Sequence, residues 1–208
     1  MAVPVVFLGF LGLSFLVLWV ITRFTEPSAD GESVEIAFSG ACLDEATPIL
    51  VERAQQVGMD AQMSGGTMRT TLPDIENARS VVPAMLGTIG VLRVAADGFE
   101  ATNDSIEDVA INLDKAGMPE TLIKFDPDTR AAIKELDDKV ALQPSIDGIT
   151  LPSILASNVK EEGVLSLHSG DGKTALRMQR AADRAIVLAH GPLPCPITVE
   201  SIRPTTPQ

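Results

Sequence analysis

The chain has 208 residues, which is enough for one ordinary domain or two small ones. Its 28 Asp and Glu residues outweigh 16 Lys and Arg residues and give a formal net charge of −12 at pH 7. This acidity argues against a nucleic-acid-binding protein, because contacts with phosphates require Lys and Arg. Two cysteines and two histidines are too few for a disulfide-rich miniprotein or a multi-cysteine zinc module.

The first predicted element is an apolar membrane anchor. Residues 2–22 contain no charged side chain, and as a helix rising about 1.5 Å per residue they span about 31 Å, close to a hydrocarbon core of about 30 Å. Trp19 and Arg23 stand where an interfacial aromatic ring and a flanking cation are expected. We therefore predict an uncleaved transmembrane anchor over residues 1–24 that contacts the lipid bilayer through residues 2–22.

Two alternatives to an uncleaved anchor fit the sequence less well. A cleaved secretory signal needs a basic flank, an apolar core of about 7–15 residues and a small-residue cleavage site, and the sequence lacks this combination. A lipoprotein site is faintly suggested by Ser39-Gly40-Ala41-Cys42, but it lies about 20 residues beyond the apolar run.

Arg23 alone favours a cytoplasmic position for the rest of the chain, since cations flanking a span tend to stay inside.

After a polar tether over residues 25–33, strand and helix patterns alternate. The predicted elements are a strand at 34–38, a helix at 44–57, a hairpin of 60–63 and 68–72, a helix from Asp74 to 89 and a strand at 91–95. This β-α-β-β-α-β order is the split βαβ, or ferredoxin-like, pattern. We assign it to a base domain over residues 34–98.

A polar break at 97–104 separates the base from a second α+β subdomain, the head, over residues 105–194. Its predicted elements are a strand at 121–125, a helix after Asp126, edge-strand segments within 145–154, a strand at 163–168 and a helix at 174–190. A last strand over 195–204 and a tail at 205–208 complete an α+β chain. Asp126 is expected to cap its helix, with Pro127 in the first helical position.

The motifs that could carry chemistry are incomplete. Gly170-Asp171-Gly172-Lys173-Thr174 resembles a phosphate loop, but Leu167 occupies the position of its first glycine. The two histidines, His168 and His190, have no companion ligands at metal-binding spacing. We therefore predict no catalytic, metal-binding or cofactor-binding residues, and we do not expect an enzyme.

Cys42 and Cys195 are 153 residues apart, one after the first predicted strand and the other at the start of the last. A disulfide between them requires neighbouring strands with Cα atoms about 4.4–6.8 Å apart. Two buried free thiols fit the sequence equally well, so at this point both interpretations stay open.

Three segments of the second half resemble the first periplasmic domain of the SecD/SecDF family, membrane proteins that work with the Sec translocon. Residues 125–136 (FDPDTRAAIKEL) are similar to that family's F-x-P-E-G-A-x-x-F-x-x-L segment, and residues 146–154 (IDGITLPSI) to its L-D-G-x-V-x-S-A-P-x-I hairpin. Residues 185–200 (AIVLAHGPLPCPITVE) resemble A-x-x-L-R-A-G-A-L-P-V-P-L-x-V-x-E. The first half resembles the family in element order but not in residues.

The resemblance implies an extracytoplasmic domain whose base lies near the membrane and whose last strand returns to the base sheet. That return would bring Cys195 towards Cys42 and so favours the disulfide. The sequence departs from the family at residues 37–41 (AFSGA), which lack the Asp and Arg of its D-L-R-G-G motif. The family's five further membrane helices have no counterpart before Gln208, so proton conduction by this chain alone is not expected.

These inferences predict a single-pass inner-membrane protein with a periplasmic domain that binds without catalysis. The expected partners are a secreted polypeptide or a membrane protein complex, reached through exposed strand edges. The alternative is a structural accessory subunit of a larger inner-membrane complex unrelated to export. Gly9, Gly12 and Ser14 would then allow its membrane helix to pack closely against others.

Overall fold

The computed structural model of the protein describes residues 31–73 and 77–205. The predicted anchor with Trp19 and Arg23, most of the tether, the predicted cap Asp74 and the last three residues lie outside the described residues. Within the described ranges, no helix is both long enough and apolar enough to cross a membrane.

The base consists of four strands and two helices. They are β1 (Ser33–Ser39), α1 (Leu43–Gln56), β2 (Gln62–Ser64), β3 (Thr67–Thr71), α2 (Ala78–Gly87) and β12 (Thr198–Pro204). The strands form one antiparallel sheet in the order β12-β1-β3-β2. Alternate residues of β1 point into the core, where Val34, Ile36 and Phe38 are buried, because successive side chains of a strand face opposite sides of the sheet.

The fourth strand of this sheet differs from the sequence prediction. The segment predicted at 91–95 does form a strand, β4 (Leu92–Ala96), but β4 pairs with two strands of the head. Its place beside β1 is taken by β12, in a register that runs from Val34 opposite Pro204 to Ser39 opposite Thr198. The βαββαβ order therefore holds only when β12 is counted as the last strand, and the head is inserted between α2 and β12.

The head contains the remaining elements, in two sheets. They are β4, β5 (Phe99–Thr102), β6 (Ile106–Leu113), β7 (Pro119–Phe125), α3 (Pro127–Glu135), β8 (Ala141–Ile146), β9 (Ile149–Thr150), β10 (Ile154–Leu155), α4 (Ser157–Lys160), β11 (Val164–His168) and α5 (Thr174–Ala189). The first sheet has the order β10-β8-β4-β5 with β9 also paired to β8, and the second has the order β11-β7-β6.

The helix α3 begins as the sequence predicts. The Asp126 carboxylate accepts hydrogen bonds from the Thr129 amide at 2.8 Å and the Thr129 hydroxyl at 2.9 Å, and Pro127 opens the helix. The bond from the Thr129 amide is the main reason that the pKa of Asp126 lies below its usual value. The predicted helix at 174–190 is also found, as α5 over Thr174–Ala189.

Helix α5 joins the two cores. It packs on β6 and β7 of the head, and Leu188 belongs to the buried cluster of the head. Ile186 and Val187, on the same turn, are buried in the cluster of the base with Leu50 and Leu86. Because one rigid helix contributes to both cores, base and head form a continuous packed unit along α5.

Candidate functional site

An apolar cleft opens between the base and the head, with a cavity of about 170 Å³. Its walls come from the end of α1, from α2, from β6 and from α5. The lining residues are Gln56, Val57, Pro73, Val81, Val82, Met85, Val109, Ala110, Ile111, Gln179, Ala182, Asp183, Ala185, Ile186, Ala189 and His190. The cavity is smaller than the roughly 300–1,000 Å³ of small-molecule pockets, so its size suits one or two apolar side chains of a larger partner.

The cleft exists because α5 presents short side chains to it. Ala182, Ala185 and Ala189 recur at three- and four-residue spacing and therefore share one face of the helix. An alanine side chain ends at Cβ, so it leaves a gap between the base helices and β6 that a leucine would fill. A row of small residues on one face of an amphipathic helix is the sequence signal for this groove.

The strand β6 forms the open wall of the cleft and is an edge of its sheet. Its first part is protected, because the register shifts between Ile106 and Asp108 and Glu107 pairs with Lys124 at 2.7 Å. Such bulges and charges are the usual protection of sheet edges against pairing with other chains. The second part, residues 109–113 (VAINL), carries no charge, and Leu113 is 39% exposed.

One carboxyl group borders this apolar cleft. Asp183 accepts a hydrogen bond from the Gln179 amide at 2.7 Å, and within the described residues it takes part in no ion pair. Burial raises the pKa of Asp183 to about 6, and the bond from Gln179 only partly offsets this. A carboxyl group with a raised pKa in an apolar cleft is typical of a binding site.

His190 lies in the same cleft, just after the end of α5. Its Nδ1 atom is 3.4 Å from the Glu52 carboxylate on α1, and its Nε2 atom is buried without a hydrogen-bond partner in the described structure. A buried polar atom normally has a partner, so an unpaired one needs an explanation. Because Nε2 is buried within the protein, a ligand in the cleft has no direct access to it.

A buried arginine holds the helices around the cleft in place. Arg53 of α1 is 0% exposed and donates to the carbonyl oxygens of Ile89 at 3.1 Å and Gly191 at 2.7 Å. Its other acceptors are the carbonyl oxygens of Leu86, Thr88 and Val187. These carbonyls lie at the C-terminal ends of α2 and α5, where helix dipoles favour a cation. Burial lowers the pKa of Arg53 to about 10, so it is charged at neutral pH.

A second network fixes the chain where it passes from the base to the head. Asp147 accepts hydrogen bonds from the amides of Gly90 and Val91, each at 2.8 Å. The Asn103 side chain accepts from the Leu92 amide at 2.8 Å and donates to the Gly90 carbonyl at 2.9 Å. Gly90 has φ +87°, and an added Cβ would lie 2.4 Å from Val187, so only glycine fits there.

The structure places the two cysteines together. Cys42 and Cys195 form a disulfide with their Cα atoms 6.0 Å apart, and the Cys42 amide donates to the Cys195 sulfur at 3.2 Å. The bond ties the start of α1 to the segment that enters β12. It lies in the base, so it stabilises the scaffold behind the cleft.

None of the predicted site residues that the structure describes lines the cleft. Of the predicted site residues, Cys42 and Cys195 lie in the base, and Trp19 and Arg23 lie outside the described residues. The strand β6 was missed, although Val109, Ile111 and Leu113 alternate with Ala110 and Asn112 in the two-residue period of a half-buried strand. The position of Asp183 in the cleft depends on how α5 meets β6 and α2, which the sequence does not reveal.

A second groove, of about 290 Å³, runs between β10 and β11. Both strands are sheet edges, and Leu155 is 47% exposed there. This groove contains no carboxyl group, and Ser153, Asn158 and Ser166 contribute polar atoms to it. The cleft next to β6 has the more apolar lining and the desolvated carboxyl group, so it is the better candidate site.

Comparison with known proteins gives a likeness in fold. No family model matches the chain, and no curated protein matches it. A crystal structure of SecDF in a super-membrane-facing form aligns with 94% of this chain at a TM-score of 0.63 and 17% identity. A second structure, of a SecDF membrane component that enhances protein export, aligns over 84% of this chain and 99% of its own length, at a TM-score of 0.56 and 17% identity.

These matches confirm, at the level of fold, the SecD/SecDF resemblance inferred from the motifs. The chain spans about 34% of the length of the first of the two structures. At 17% identity the likeness shows a mixed α+β fold with several antiparallel sheets, and it shows the fold alone.

Proposed function

We propose that this chain is a membrane-anchored, extracytoplasmic module that binds polypeptides and assists protein export without catalysing a reaction. In this proposal residues 1–24 anchor it, Trp19 and Arg23 lie at the membrane interface, and the base supports the head. The likeness to a SecDF component described as enhancing protein export supports the proposal. So does a disulfide, since such bonds persist mainly outside the cytoplasm.

The cleft beside β6 is the observation that carries this proposal. An extended polypeptide can add to an unprotected strand edge through main-chain hydrogen bonds, and its alternate side chains can enter adjacent pockets. Residues 109–113 supply an uncharged edge, and the cavity next to them accepts one or two apolar side chains. A site of this kind binds many sequences weakly, which suits transient contact with chains that cross a membrane.

Site-directed photocross-linking in cells tests the proposal. With a photoreactive amino acid in place of Ile111, a pulse-labelled secretory protein should cross-link while it is being exported and not after export is complete. The matched control places the same amino acid at Glu162, an exposed residue that does not line the cleft. A single stoichiometric partner that cross-links regardless of export would contradict the proposal and favour a structural subunit of a membrane complex.

The anchored, extracytoplasmic arrangement has its own test. A single cysteine placed in the tether, at residues 26–32, should react with a membrane-impermeant thiol reagent added to intact spheroplasts. Protection until the membrane is permeabilised would place the domain in the cytoplasm and contradict this part of the proposal.

A further inference from the structure

The carboxyl group of Asp183 is the charged feature of the cleft that the proposed function leaves without a role. It lies on the α5 wall beside Ala182 and accepts one hydrogen bond, from Gln179 at 2.7 Å. A carboxylate withdrawn from water is costly unless a cation or several donors compensate it. Within the described residues Asp183 has no such cation.

The nearby arginines are committed to other acceptors. Arg180 and Arg184 flank Asp183 on α5, but Arg180 donates to the Asp171 carbonyl at 2.8 Å and Arg184 to the His168 carbonyl at 2.8 Å. The lower pKa of Arg184 results from burial and from repulsion by Arg180, with no carboxylate contribution. Neither arginine forms an ion pair with Asp183.

The other elements around Asp183 supply no cation from their lining residues. The α2 wall consists of Val81, Val82 and Met85, and the β6 wall of Val109, Ala110 and Ile111. A second cavity that Asp183 lines also contains Thr88 and Ile146, together with Arg180 and Arg184 of α5. His190 lies in the same cleft with Glu52 as its partner at 3.4 Å. Since no residue of the described structure forms an ion pair with Asp183, a cation in contact with its carboxylate has to come from a ligand.

We propose, on the basis of the function proposed above, that the cleft selects polypeptide segments in which a lysine or arginine lies next to the apolar residue held by the cavity, with Asp183 as counter-ion. The apolar side chain enters the space above Ala182 and Ala185, and the neighbouring cation reaches the carboxylate. The two contacts support each other, because the apolar walls exclude water from the ion pair and so strengthen it.

The raised pKa of Asp183 gives this selection a pH dependence. The carboxyl group is largely ionised above about pH 6 and neutral below it. A cationic segment should therefore bind more tightly as the pH rises through 6. An uncharged apolar segment should bind with the same affinity above and below pH 6. The ion pair between Asp183 and the cation of the bound segment is half-buried. Added salt should therefore weaken this ion pair less than it weakens the non-specific attraction of cationic segments to the acidic surface of the protein.

The test uses the full-length chain in nanodiscs of zwitterionic lipid and two fluorescent ten-residue apolar peptides. One peptide carries a central lysine, and its twin carries acetyl-lysine, which keeps the aliphatic chain of lysine but has no charge. By fluorescence anisotropy at pH 7.5, the lysine peptide should bind about tenfold more tightly, the effect of one charge-assisted hydrogen bond. At pH 5 the two affinities should converge.

Three variants assign the effect to Asp183. Asp183→Asn should abolish the preference for lysine, so that the two peptides bind with equal affinity. Glu162→Gln, which removes the same charge from an exposed position outside the cleft, should keep the preference. His190→Gln should keep the pH dependence, since Asp183 is intact.

Equal affinity of the two peptides for the unsubstituted chain would overturn the inference while leaving the proposed function standing. A preference for lysine that survives in Asp183→Asn would overturn it too. Failure of both peptides to bind would contradict the proposed function itself, and the inference with it.

Discussion

The free edges of the base sheet and of the three-stranded head sheet are protected to different degrees. In the base, β12 carries Glu200 and Arg203 and ends at Pro204, and β2 on the other side has only three residues. In the head, the second half of β6 is uncharged and borders an apolar cavity. Charges, prolines and short strands block unwanted pairing, so the base is built as a closed scaffold and the head keeps an edge open.

The same contrast holds for covalent and ionic reinforcement. The disulfide and the buried Arg53 both lie in the base or at its boundary with the head. They hold α1, α2 and the end of α5 in fixed positions, and these elements form the cleft wall opposite β6. A fixed wall facing an open edge suits the capture of flexible chains, because the protein does not have to order its own side of the site.

Removal of the disulfide should cause the largest loss in the free energy of unfolding. The double substitution Cys42→Ser/Cys195→Ser opens a loop of 153 residues, for which the chain-entropy model predicts a loss of up to about 5 kcal/mol. Urea unfolding of the full chain followed by circular dichroism measures it. Reduction of the unsubstituted protein should give the same midpoint as the variant, and an unchanged midpoint in both would contradict a disulfide in the mature protein.

Arg53→Met should lower the free energy of unfolding by about 3–4 kcal/mol, because buried carbonyls at the ends of two helices lose their donor. The control is Arg203→Met on β12, where the arginine is exposed and the change should stay within about 0.5 kcal/mol. Similar losses in the two variants would show that Arg53 does not hold the helices together.

Asp183→Asn should stabilise the protein at pH 7.5 by up to about 3 kcal/mol. The folded state raises the pKa of this carboxyl group from 3.8 to about 6, and about two units correspond to nearly 3 kcal/mol. The penalty on the ionised form is fully present above pH 6 and absent below the unfolded pKa of 3.8, so the variant and the unsubstituted chain should converge near pH 3.5. A difference in the free energy of unfolding that persists at pH 3.5 would show that burial of the ionised Asp183 carboxylate is not its cause.

Leu113→Lys should change stability by less than about 0.5 kcal/mol, since the side chain is already 39% exposed. The added charge protects the open edge of β6 as charges protect natural edges, so peptide affinity should fall severalfold. The matched control, Ile149→Lys on β9, changes a residue that is 70% exposed outside the cleft and should leave affinity unchanged. Equal losses in both variants would show that the effect is not specific to β6.

Local signals in the sequence predicted much of the fold. The Asp126 cap, the helix at 174–189 and the hairpin around Gly65 and Gly66 depend on neighbouring residues, so the chain itself specifies them. The family resemblance supplied what local pattern could not, namely that the last strand returns to the base sheet. The amino-acid composition, with its net negative charge, argues against a nucleic-acid partner.

The main differences between the predicted and the observed fold concern the pairing of strands that are far apart in the sequence. The segments at 92–96 and 198–204 both form strands, and only the tertiary fold decides that the second pairs with β1. Strand β6 was missed because Glu107 and Asp108 interrupt the apolar alternation at a bulge. The cleft depends on α5 meeting α2 and β6 in space, and the anchor with Trp19 and Arg23 stays a prediction.

The most direct test of the account is hydrogen–deuterium exchange of the full-length chain in nanodiscs, with and without a saturating apolar lysine peptide. We predict that the peptide slows exchange of backbone amides at residues 109–113 and leaves those of β12 unchanged, because an added strand pairs with the open edge of β6. Unaltered exchange at residues 109–113 under saturating peptide would contradict the central claim that this edge and its cleft bind polypeptides.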